Sequence, residues 1–242
     1  MQRTPRLMVL AGATLLALTL AACGDDSDAG TPADTTAPAA VDTSAPQGSD
    51  STTPATGATT CAPADGSAPK QQIFSAMPPM CLEDGKAYTA VIETSKGTLH
   101  VALRPDIAPQ TVNSFVNLAR YHYFDATTCH RAIQGFVVQC GDPTATGTGG
   151  PGYEIPDEFD KIEPYQIGSI AMANTGRPNT GGSQFFIITG PNGQALPPQY
   201  TLFGQVAAED LPVVQALDAI SNPNDGPPLE PIDITSITIT ES

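Results

Sequence analysis

The stretch from His130 to Asp142, His-Arg-Ala-Ile-Gln-Gly-Phe-Val-Val-Gln-Cys-Gly-Asp, constrains the fold more than any other part of the chain. Apolar β-formers stand on both sides of Gly135, and Gly141-Asp142-Pro143 stops the second arm, so the stretch reads as a β-hairpin. It carries a single arginine. Arg131 cannot lose its charge, and burying that charge without partners is costly. Two placements are open. Arg131 can sit on the solvent face of a half-buried strand, the usual fate of a lone charge. Alternatively it stands on the wall of an apolar groove, with Gln139 on the facing arm to orient it.

From residue 87 onward the pattern is regular. Residues 88–94 and 98–103 form two strands joined by a tight turn at Ser95-Lys96-Gly97. Val112, Phe115, Val116 and Ala119 fall at i, i+3, i+4 and i+7, which predicts a helix over 110–120. Further strands are expected at 167–173, 184–189 and 201–206. A second helix is expected at 209–220, with Leu211, Val214, Leu217 and Ile220 inward. Residues 232–240 alternate isoleucine with polar residues. The alternation slips by one between Ile234 and Ile237, which predicts a bulge. Many short strands with two helices indicate an all-β closed barrel whose ends the helices cover.

The first 22 residues read as an export signal: Arg3 and Arg6, an apolar run from Leu7 to Leu20, then Ala21-Ala22 before Cys23. The pattern is similar to a bacterial lipobox, in which Cys23 would become the lipidated first residue. The apolar run is short for a spanning helix and lacks a basic flank. Acyl chains on Cys23 would anchor the protein to a membrane from outside the cytoplasm. Residues 24–60 contain no Lys or Arg and almost no large apolar side chain, so residues 23–60 read as a disordered acidic tether. Residues 61–86 form an extension expected to pack along the domain that follows, 87–242.

The formal net charge of −15 argues against nucleic acid or an anionic membrane surface as partner. The glycines at 147–152 lack the Gly-Lys-Ser/Thr of a phosphate loop. His100, His122 and His130 have no ligand partner at metal-binding spacing, and no Cys-x-x-Cys occurs, so neither metal nor cofactor is expected. A triad of Ser183, His130 and Asp142 lacks a Gly-x-Ser-x-Gly elbow.

The hairpin resembles the pattern Phe-His-Arg-x-Ile-x-x-Phe-x-x-Gln-x-Gly-Asp of the cyclophilin family of peptidyl-prolyl cis-trans isomerases. It does so at His130-Arg131, Ile133, Phe136, Gln139 and Gly141-Asp142. Two more blocks follow in the family's order: Met172-Ala173-Asn174 with Gly182-Ser183-Gln184-Phe185-Phe186-Ile187, and Phe203-Gly204-Gln205-Val206. The resemblance covers residues 88–241 and implies eight antiparallel strands with two capping helices. It implies isomerisation of X-Pro bonds, with Arg131 as the catalytic donor and Gln139 orienting it; with the export signal, the expected substrates are exported polypeptides, and a monomer is expected. It further implies a substrate groove of Phe136, Val137, Ala173, Asn174, Gln184, Phe186, Leu196 and Tyr200. A binding module that holds Pro-containing segments without turnover is the rival reading. Ala195 stands where the family often has tryptophan, Tyr200 where it has histidine and Val137 where it has methionine, which implies weak cyclosporin binding.

Apart from Cys23, four cysteines remain, an even set in an exported chain, and this suggests disulfides. Of three pairings the local one is expected, Cys61–Cys81 and Cys129–Cys140. A two-residue loop at Gln134-Gly135 would put Cys129 directly opposite Cys140. A loop that includes Phe136 puts Arg131 opposite Gln139 and leaves the cysteines diagonal. The catalytic reading prefers the second register.

Overall fold

In the computed structural model, residues 59–242 are described; the expected signal, lipidation site Cys23 and most of the tether lie outside them. Strands β1 (Tyr88–Thr94) and β2 (Gly97–Leu103) form the expected hairpin, followed by α1 (Pro109–Arg120). Next come β3 (Thr127–Thr128), β4 (Arg131–Ile133) and β5 (Val137–Cys140). After a long loop, β6 (Ser169–Met172), β7 (Phe185–Ile188), α2 (Pro191–Gln194) and β8 (Leu202–Val206) follow. A 3-10 turn at Ala208–Asp210, helix α3 (Leu211–Ala219) and β9 (Asp233–Glu241) complete the chain.

The expected closed eight-stranded barrel with two helices is corrected. Among the described residues, nine strands form one curled, open sheet in the order β3-β9-β1-β2-β8-β6-β7-β5-β4, with three α-helices against it. The strands β3 and β4 are its two edges, yet only Cys129 and His130 separate them in sequence. The Cys129 amide still donates to Ile232 on the β9 side (2.8 Å), while Arg131 already pairs with β5. The chain therefore crosses the gap itself and divides one potential strand into two, and among the described residues no ladder closes the seam. The bulge predicted in β9 is present: Glu93 pairs with Ser236 and Thr94 with Ile234, so Thr235 is extra and both Ile234 and Ile237 point inward.

The main core gathers around Phe115 of α1, whose ring meets Phe124, Phe185 and Phe203 at 5.1–5.5 Å. Pro109 suits the first turn of α1 because it has no amide hydrogen to leave unpaired. The remaining free amides there are served from a distance: Glu158 accepts from the amides of Gln110 (2.9 Å) and Thr111 (2.8 Å). The amphipathic pattern of α1 leaves Asn113 and Asn117 on its outer side, yet both are buried. The extension covers them. The amide of Ala62 donates to Asn117 Oδ1 (2.8 Å) and that of Cys81 to Asn113 Oδ1 (2.7 Å). Between those points Phe74 inserts against Tyr121, Tyr123 and Tyr153, and its amide donates to Pro151 O (2.8 Å). Both local disulfides are formed, Cys61–Cys81 and Cys129–Cys140.

Candidate active site

The hairpin register decides where Arg131 goes. The loop is Gln134-Gly135-Phe136: the Phe136 amide donates back to Ile133 O (3.1 Å), and Gly135 takes φ +70°. That left-handed conformation costs a glycine little. With three loop residues, Arg131 pairs with Gln139, Ala132 with Val138 and Ile133 with Val137. The cysteines are consequently diagonal, and they bridge nonetheless, with Cα atoms 4.0 Å apart.

Strand side chains alternate between faces, so this register sorts every neighbour. Ala132, Val138 and Cys140 enter the main core together with Phe185 and Ile187. Gln139, in turn, pairs with Phe186, and Phe186 with Ala171. One cross-strand row, Arg131–Gln139–Phe186–Ala171, thus runs over β4, β5, β7 and β6 on the face away from the core. On that face a second apolar cluster forms from Val137, Tyr165, Ala171, Phe186 and Ile188, with Phe136, Ala173, Leu196 and Tyr200 against it. The rings of Phe186 and Tyr200 meet edge to face at 5.2 Å. Six of the predicted groove residues lie in this one cluster. Tyr165, which sequence reasoning missed, closes it: its hydroxyl donates to Tyr200 O (2.7 Å) and accepts from the Tyr200 amide (3.1 Å).

Arg131 stands at the rim of this cluster, its guanidinium carbon 6.0 Å from the Phe136 ring centroid and its side chain 31% exposed. Nε and Nη2 donate to the two carboxylate oxygens of Asp225 at 2.6 and 2.9 Å. Nη1 donates to Gln139 Oε1 at 3.4 Å. Asp225 raises the Arg131 pKa further, and the guanidinium in turn holds the Asp225 carboxyl below its ordinary range. The charge on Arg131 is therefore permanent. Gln139 Nε2 donates onward to Gln184 Oε1 (2.9 Å), and Gln184 Nε2 to Gly149 O (2.9 Å). This relay fixes both amide orientations, because a flipped Gln139 would turn its NH2 toward a cation.

The last acceptor, Gly149 O, belongs to a loop tied around Asp142. The buried Asp142 carboxylate accepts from the amides of Thr144, Thr146, Gly147 and Gly149 at 2.7–3.1 Å. Burial alone would raise its pKa, but the bonds from Thr144, Gly149 and Gly147 outweigh burial and hold it at about 2. This loop walls a cleft of about 630 Å³ beside the apolar cluster, lined also by Gln139, Ala173, Gly181 and Gln184. Asn174 frames the same cleft and donates to Gln199 O (2.9 Å).

The competing constellations do not assemble. Ser183 Oγ donates to Gly141 O (2.7 Å) and meets Tyr123 Oη, while Asp142 is spent on its loop. Burial lowers the pKa of His130. Among the described residues no group of three His, Cys, Asp or Glu side chains could hold a metal ion.

Comparison with known proteins agrees with this geometry. The family model described as cyclophilin type peptidyl-prolyl cis-trans isomerase/CLD matches residues 89–239. Peptidyl-prolyl cis-trans isomerase A of Mycobacterium tuberculosis is 41% identical over 172 residues, 63% of this chain and 92% of the relative. Probable peptidyl-prolyl cis-trans isomerase B of Mycobacterium leprae is 37% identical over 174 residues, 64% of this chain but 58% of the longer relative. A Cryptosporidium parvum cyclophilin type peptidyl-prolyl cis-trans isomerase, solved in the presence of the dipeptide Ala-Pro, superposes with TM-score 0.58 at 30% identity. It covers 64% of this chain and 99% of that one. The match spans every strand that carries the groove, and the chain belongs to the cyclophilin-type peptidyl-prolyl cis-trans isomerase family.

Proposed function

We propose that this protein accelerates rotation about X-Pro bonds in exported polypeptides, with Arg131 stabilising the twisted amide and Gln139 orienting Arg131. The barrier of about 18–20 kcal/mol comes from amide resonance. Twisting the bond returns a lone pair to the proline nitrogen, and a fixed cationic donor beside that nitrogen lowers the cost of the twist. No nucleophile, metal or organic cofactor enters the reaction. The observation that carries this reading is a permanent charge held by two partners at the edge of an apolar cluster. Phe136, Val137, Phe186, Leu196 and Tyr200 would hold the proline ring. Ala173, Asn174 and Gln184 would meet the backbone before it, and the 630 Å³ cleft would take the preceding side chains. The Ala-Pro dipeptide used with the Cryptosporidium relative supports a short prolyl segment as the minimal ligand. Ala195, in place of a tryptophan, makes weak cyclosporin binding part of the same reading.

The reaction would take place outside the cytoplasm. Cys23 would carry the acyl anchor, residues 23–60 would act as tether, and the isomerase domain would work as a monomer. An exchange assay on an Ala-Pro peptide tests the activity: acceleration over solvent supports an isomerase, and binding without acceleration supports the non-catalytic module. Metabolic palmitate labelling tests the anchor, which fails if Cys23→Ser labels as wild type does.

A further inference from the structure

The strand β4 is an edge strand, and its open side is covered by the loop after α3. Asn222 donates its amide to Ala132 O (2.9 Å), Gln134 donates to Asn222 O (2.9 Å), and Ala132 donates to Gly226 O (2.9 Å). Asn222 also braces the loop through its side chain, accepting from the Asn224 amide (2.9 Å) and donating to Pro227 O (3.1 Å). This attachment delivers Asp225 to Arg131. A guanidinium has five N–H donors. Two of them go to Asp225 and one to Gln139. Those left over sit on Nη1 and Nη2, at the end of the fork away from the stem.

We propose that Asp225 is the positioning residue of this site, clamping the Arg131 guanidinium so that its remaining donors present to the twisted amide. The inference rests on the reading of Arg131 given above. Arg131 has a long, freely rotating stem, and without Asp225 it keeps only the 3.4 Å bond to Gln139 and the 6.0 Å approach to Phe136. The bidentate fork fixes the plane of the guanidinium, which a single bond cannot do. Such preorganisation lowers the barrier without adding a contact to the ground-state substrate, so it acts on kcat and leaves KM alone. The carboxylate also offsets part of the cation's field, but the gain in orientation outweighs this loss.

The test is exchange kinetics on an Ala-Pro peptide with the whole chain, comparing wild type, Asp225→Asn, Asp225→Ala, Arg131→Lys, Arg131→Ala and Arg131→Lys combined with Asp225→Ala. Melting temperatures confirm folding. Asp225 is 67% exposed, so Asp225→Ala is expected to lower kcat by roughly fivefold with KM unchanged. Asp225→Asn keeps one acceptor oxygen and falls between it and wild type. In the Arg131→Lys background, where no fork exists to clamp, Asp225→Ala has no effect on kcat. Three results overturn the proposal: kcat at or above wild type in Asp225→Ala, a rise in KM alone, or the same loss in the Arg131→Lys background. A wild-type rate in Arg131→Ala overturns instead the reading on which the proposal rests.

Discussion

Replacing Asp142 by asparagine should both destabilise the domain and loosen its site. Asp142 is fully buried and binds four loop amides as well as the hydroxyls of Thr144 and Thr146. Asparagine keeps the shape but turns an NH2 toward amides that also donate. The carboxyl has a pKa of about 2 in the fold. Against about 3.9 in an unfolded chain, the difference corresponds to about 2.5 kcal/mol of stability at neutral pH. A loss of that size lowers Tm by roughly 5–10 °C in a domain of this length. Because folding depresses this pKa, the stabilisation is complete above the unfolded value and fades as pH falls through the folded one. The Tm gap between wild type and Asp142→Asn should therefore be full at pH 7 and close between about pH 4 and pH 2. Gly149 O would also lose its fixed position, so the Gln184–Gln139–Arg131 relay would slacken and kcat/KM would fall. Thermal melts of both proteins from pH 7 downward, read by circular dichroism, make the comparison. A gap unchanged with pH, or none at pH 7, refutes the charge argument.

Glu158→Ala removes the side-chain acceptor of the Gln110 and Thr111 amides at the start of α1 and should cost roughly 1 kcal/mol, seen as a Tm lower by about 2–4 °C. Phe74→Ala leaves a cavity among Tyr121, Tyr123 and Tyr153 and should cost about 3–5 kcal/mol in urea unfolding. A loss near zero would show that the extension does not hold the domain. Thiol titration of the unfolded, unreduced protein should find Cys61, Cys81, Cys129 and Cys140 all unreactive; four reactive thiols would end both pairings.

What could be read from the chain was whatever local pattern decides. The face of α1, the alternation and slip in β9, and the hairpin around Gly135 all follow from spacing within a few residues. Most of the groove was legible only through the family resemblance; period-two alternation then puts Val137 and Gln139 on one face, with Phe186 beside Gln139 once the register is known. The register itself was not legible from residue types. It depends on whether Phe136 belongs to the loop, and Thr189 and Gly190 help to decide that by donating to Phe136 O. Strand β3, two threonines long, and helix α2, four residues with a Pro-Asn-Gly start, carry no periodic signal. The open seam was missed because strand closure is a long-range property that no local pattern encodes. Asp225 lies 94 residues from Arg131 in a Pro- and Gly-rich loop, where a lone aspartate reads as turn chemistry. Tyr165 was invisible for a similar reason: it belongs to no strand, and only the fold brings it to Tyr200.

The most direct measurement is the cis–trans exchange rate of an Ala-Pro peptide with Arg131→Ala beside wild type, both shown to be folded by their melting curves. Removing the Arg131 guanidinium, held by Asp225 and Gln139, should slow the catalysed rate by roughly two to three orders of magnitude. Arg131→Ala that folds and still turns over as fast as wild type would contradict the account.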